Sequence, residues 1–90
     1  MSIPNDEMAA LFDELAERLQ EAGENPFKIR AYRNAARVIA EHPQPMTELV
    51  AVGQDLTKLP GIGDAIAKKI HAIVETGKLR QLEELKQQRP

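Results

Sequence analysis

Apolar residues in this 90-residue chain recur three and four positions apart, and no stretch alternates apolar with polar. That period suits helices and leaves no strand pattern to compete. Met8, Leu11, Phe12, Leu15 and Leu19 form one such stripe, so residues 5–22 read as a first helix. Asn5 is placed to cap it, Asp6 and Glu7 favour its positive end, and Gly23 ends it. Asn25-Pro26, a capping residue before a proline, starts a second helix that reaches about Glu41. It turns Ile29, Tyr32, Ala36 and Ile39 inward and stops at His42-Pro43, because the residue before a proline is pushed out of the helical region. Residues 43–53 read as a loop holding a short helix at 46–50, and a second short helix covers 56–59. Pro60-Gly61-Ile62-Gly63 then breaks the chain. A long helix follows over 64–75 and ends at Thr76-Gly77, and a last one takes Leu79, Leu82 and Leu85. Residues 86–90 read as a frayed polar tail.

The expectation is a single all-α domain over residues 1–90, compact and of four to five helices. The aromatics are Phe12, Phe27 and Tyr32 alone, so alanine and leucine supply most of the packing. Without cysteine there is no disulfide framework and no thiolate metal site. His42 and His71 find no third ligand. No apolar run has the length of a membrane span, and Asp6 and Glu7 stand where a signal peptide would be basic. A cytoplasmic monomer is expected.

The net charge of −2 hides a division along the chain. Residues 1–25 carry seven acids against Arg18, a net −6, whereas residues 26–80 carry nine bases against five acids, a net +4. An acidic first helix (5–22) therefore precedes a basic body (26–80). A basic body is the electrostatic footprint of a polyanion binder, and solvated helix faces would account for it equally well.

The most informative segment is Leu56-Thr57-Lys58-Leu59-Pro60-Gly61-Ile62-Gly63-Asp64-Ala65-Ile66-Ala67-Lys68-Lys69-Ile70. Glycines at 61 and 63 permit unusual backbone conformations and close approach of a ligand. Ile62 between them can anchor the turn in the core. The amides around Gly61, Ile62, Gly63, Asp64 and Ala65 then lie at the start of the long helix, where unpaired donors and a partial positive charge favour an anion. Asp64, acting as a cap, would compete for those donors. Ala67 and Ile70 are placed to pack the two helices closely. This segment is similar to the helix–hairpin–helix consensus, and one such motif is expected.

A wider resemblance adds to it. Phe27-Lys28-Ile29-Arg30-Ala31-Tyr32-Arg33-Asn34-Ala35-Ala36-Arg37-Val38-Ile39-Ala40, then residues 59–70, then Thr76-Gly77-Lys78-Leu79-Arg80 resemble, in order, the N-terminal domain of family X DNA polymerases. The likeness runs from about Leu11 to Leu85. It implies binding at the 5′-phosphate side of gapped or nicked DNA in repair. It also implies, for some members, removal of 5′-deoxyribose phosphate through a Schiff base on a lysine that falls at Lys69. The same resemblance puts a phosphate-pocket lysine at Lys28 and its tyrosine at Tyr32. It gives the carbonyls of Thr57, Leu59 and Ile62 to a monovalent cation, Na+ or K+, beside a DNA phosphate. Lyase-competent members have lysines where this chain has Ala65 and Gln81, and a stacking histidine where it has Phe27, whose ring can still stack. No acidic triad for nucleotidyl transfer is assignable, so no polymerase site is expected in this chain.

Helical geometry alone also singles out Lys69. Ile66, Ile70, Ile73 and Val74 set the apolar face of the long helix. Lys68 falls opposite that face and should be solvated. Lys69 falls at its border, beside Ala65 and Ala72, where partial desolvation favours the neutral amine that a Schiff base needs and where a lysine can equally snorkel over the core edge. Arg30, Arg33 and Arg37 form a basic stripe, with Arg33 the most direct candidate for DNA. Lys28 and Tyr32, four apart, can meet. Three functions stay open: a sequence-independent DNA-binding module, a lyase using Lys69, and a helical protein-interaction module whose partner faces the acidic first helix.

Overall fold

The computed structural model describes residues 3–87. Within them the chain forms α1 (Asn5–Glu21), α2 (Pro26–Glu41), α3 (Met46–Ala51), a 3-10 turn (Leu56–Lys58), α4 (Asp64–Thr76) and α5 (Arg80–Gln87). The all-α expectation holds, and no described helix is long and apolar enough to cross a membrane.

Most helix ends lie where sequence chemistry stops them. After α1, Gly23 adopts φ +73°, its amide donates to the Gln20 carbonyl at 3.1 Å, and Glu24 donates to Leu19 at 2.9 Å. That pair of bonds satisfies the last carbonyls through a left-handed residue. Gly53 repeats the arrangement after α3, with Gln54 donating to Leu49 at 2.9 Å. Asn25 caps α2, accepting the Phe27 amide at 2.8 Å, with Pro26 behind it.

Two local expectations are corrected. Asn5 does not cap α1: Pro4 occupies the cap position, and Asn5 is the first helical residue. Its carboxamide instead donates to the Gln44 carbonyl at 2.9 Å and accepts the Met46 amide at 2.8 Å. It thereby latches the start of α1 to the start of α3, because a side chain at the first turn can reach outward as readily as it can cap. Lys86 and Gln87 are not frayed but helical, for Lys86 reaches Glu14 of α1 at 3.5 Å and Glu83 at 3.8 Å. Residues 88–90 of that expected tail lie outside the described residues.

One continuous core joins the elements. Met8, Phe12 and Leu15 of α1, Ile39 of α2, Met46 of α3, Leu56, Ile70 and Ile73 of α4, and Leu82 of α5 are wholly enclosed. Ala16, Ala35 and Ala36 let α1 and α2 approach closely, and theirs is the most extensive interface. Phe12 stacks on Tyr32 with ring centroids 6.2 Å apart. Ile29, Val38, Leu59 and Leu85 seal the edges.

Candidate nucleic-acid interface

The hairpin is built by three consecutive devices. Asp55 starts the 3-10 turn, its carboxylate accepting from the Thr57 amide at 3.0 Å and hydroxyl at 2.6 Å. Those two bonds hold the Asp55 carboxyl below its usual value. Ile62 then donates to the Leu59 carbonyl at 3.1 Å, closing the turn, and its side chain is buried as the sequence requires. Gly61 supplies φ +76°, a left-handed conformation that a side chain resists.

Gly63 behaves differently from the sequence expectation. Its backbone is extended (φ −89°, ψ −178°), a conformation any residue adopts, and a Cβ added there meets nothing within 4 Å. The fold itself does not need glycine at 63; only something approaching from outside would. Gly63 is also the cap of α4, and no side chain caps that helix. Asp64 lies in the first turn and does not cap, so it does not consume the donors. The first backbone bond of α4 runs from Ala67 to the Gly63 carbonyl at 2.9 Å. Among the described residues, the amides of Gly63, Asp64, Ala65 and Ile66 therefore keep their hydrogens free. Four unpaired donors at the positive end of a 13-residue helix make a candidate anion cradle.

Carbonyls on the other side of the turn are left with unused acceptor capacity. Pro60 has no N–H, so Thr57 is left without the partner three residues on. The Ile62 carbonyl likewise accepts no backbone hydrogen bond among the described residues, and Leu59 retains a lone pair beyond its bond to Ile62. Backbone carbonyls are the usual ligands of a monovalent ion.

Beside the cradle, Ala65, Lys68, Lys69, Ala72, Leu79, Arg80 and Gln81 line an open recess of about 360 Å³. Lys68 is exposed and Lys69 half-buried, as helical geometry predicts. The Lys69 ammonium lies 5.9 Å from the centre of the Tyr32 ring. Tyr32 is buried, and that burial raises its phenol pKa above the usual 10.0. A lysine of another helix, Lys69, thus lies over Tyr32, and neither Tyr32 nor Lys28 lines the recess. Phe27 is 73% exposed at the start of α2, with Arg30 5.9 Å over its ring. Arg33 is exposed but donates to Gln20 of α1 at 3.0 Å, and Arg37 donates to Asn34. The basic stripe is thus divided among three local partners.

Residues 3–79 match the family described as a helix-hairpin-helix domain. The chain belongs to that family. It is 30% identical over 80 residues to the DNA polymerase/3′-5′ exonuclease PolX of Bacillus subtilis. The alignment takes in 89% of this chain and 13% of that polymerase, so the chain spans only a small part of its relative's length. The helix–hairpin–helix of the family X polymerases is therefore the fold in hand, and the hairpin at residues 59–63 is its turn. Two features of this helix–hairpin–helix domain escape sequence reasoning: Arg80 at the rim of the recess, and Asn34 packed on Gly61. Both depend on tertiary placement, and no local pattern announces either.

Proposed function

We propose that this domain binds DNA through backbone phosphates, without reading base sequence, at gapped, nicked or 5′-phosphorylated sites in repair. One observation carries the reading. Four uncapped amides converge at the start of α4, beside a Gly63 whose missing side chain serves nothing inside the protein. A phosphate oxygen can accept from that cradle. Lys68, Lys69 and Arg80 supply charge nearby, and the carbonyls of Thr57, Leu59 and Ile62 would hold a Na+ or K+ that adds positive charge beside the phosphate. Membership of the family and the polymerase relative support DNA as the ligand. A titration comparing intact duplex, nicked and 5′-phosphorylated gapped DNA tests it. The gapped substrate should bind best, and Gly63→Val should abolish the difference while keeping helix content. Equal binding by Gly63→Val would move the phosphate site elsewhere.

A second reading, weak 5′-deoxyribose-phosphate lyase activity, is favoured by the recess that brings Lys69 together with Ala65, Arg80 and Gln81. Lys69 offers the amine at a half-buried position. Ala65 and Gln81 offer no charge to fix a 5′-phosphate, and positioning supplies much of such acceleration. Borohydride trapping on an incised abasic site should be slow and should vanish in Lys69→Ala. Trapping that survives that substitution would assign the amine elsewhere.

A further inference from the structure

We propose that Asn34 and Arg37 are positioning residues for the hairpin, holding Gly61 from the α2 side without themselves touching DNA. The functional consequence rests on the phosphate-binding reading above, while the positioning itself does not. A Cβ built on Gly61 would overlap the Asn34 amide nitrogen, with the Asn34 Cγ 3.3 Å away. The side chain of Asn34 therefore fills the space that any other residue at 61 would need. Glycine is favoured there by its left-handed backbone, and a Cβ would in addition make the end of the Asn34 side chain shift.

The orientation of Asn34 is itself fixed. Its Oδ1 accepts a hydrogen bond from the Arg37 guanidinium, one turn further along α2. A carboxamide is planar with opposed ends, so once Arg37 takes the oxygen the nitrogen faces the hairpin. Beyond this contact, Asn34, Arg37, Val38, Pro43, Pro60 and Gly61 border a recess of about 350 Å³ between the end of α2 and the hairpin. The Asn34–Gly61 contact is one place where α2 meets the turn. The positive charge of Arg37 is directed at Asn34, which argues against a phosphate contact.

The intact chain tests this with Asn34→Ala, Asn34→Ser, Arg37→Ala and the Asn34→Ala/Arg37→Ala pair. In the free protein, the amide resonances of Gly61 and Ile62 should move in every variant while those of α1 stay. Affinity for 5′-phosphorylated gapped DNA should fall about three- to tenfold, the size of one ordinary hydrogen bond. The slope of log affinity against log salt should not change, because no phosphate loses a cation. The pair should lose no more than either single change, since Arg37 acts through Asn34. Unmoved Gly61 and Ile62 resonances would overturn the proposal. So would a salt slope lowered by roughly 0.9 in Arg37→Ala with additive losses, which would make Arg37 a phosphate contact. Should the parent bind no DNA at all, the phosphate reading falls, and the resonances still decide whether Asn34 positions the turn.

Discussion

Gly61 and Gly63 look alike in sequence and do different work. At 61 the backbone is left-handed and the space is taken; at 63 the backbone is extended and the space is open. Gly61→Ala should therefore lower unfolding stability by about 1–2 kcal/mol in urea titration, from the left-handed cost alone before Asn34 must move. Gly63→Ala should leave stability within about 0.5 kcal/mol and weaken DNA binding. A Gly63→Ala protein that is destabilised and binds normally would reverse this assignment. Tyr32 offers a second test, since it is the sole tyrosine and there is no tryptophan. Burial raises its folded pKa above 10.0. A raised folded pKa means that the native state holds the phenol proton longer, so stability present below pH 10 is lost as pH climbs through the folded value. Absorbance of the phenolate should appear later in the native chain than in urea, and coincident curves would contradict the burial. Sequence alone placed Lys69 correctly at the border of its helix, because one helix suffices to say so. It did not bring Lys69 to Tyr32, because that approach joins helices more than thirty residues apart.

Among the elements, boundaries written in glycine, proline and asparagine were legible to within a residue: α2 begins at Pro26 and α4 at Asp64. What failed was the assumption that a polar residue at a helix start serves that helix. Asn5 instead bonds Gln44 and Met46. Asn5→Ala should cost roughly 1–3 kcal/mol by chemical denaturation, since two bonds go and the partly buried Met46 amide is left unsatisfied. A cost below about 0.5 kcal/mol would show that water replaces the latch. The 3-10 turn carries its own pH signature. Asp55 has a depressed folded pKa, so its support of the turn is complete above the unfolded value and drains away as pH falls toward the folded one. The Thr57 amide resonance should report that loss in acid, and Asp55→Asn should flatten it.

At the scale of the whole molecule, the all-helical class followed from periodicity, while the meeting of α4 and α5 around one recess did not. Helical period says which face is inward and nothing about which faces meet. The charge division has a measurable counterpart. Binding through amides and a few cations should depend steeply on salt and hardly on sequence, and a titration across salt concentrations with unrelated duplexes checks both. A strong base preference with a flat salt response would contradict it. The interfaces are also unequal: α1 and α2 share the broadest one, whereas the 3-10 turn, α4 and α3 meet along narrow ones. Regions held by fewer contacts open at lower free energy than the global transition. The second half of the chain is therefore expected to open at lower free energy than the first pair of helices. Hydrogen exchange would see it as two tiers of protection. Under the DNA-binding reading proposed above, the first two helices would be the fixed frame against which the hairpin adjusts to strand ends of differing shape.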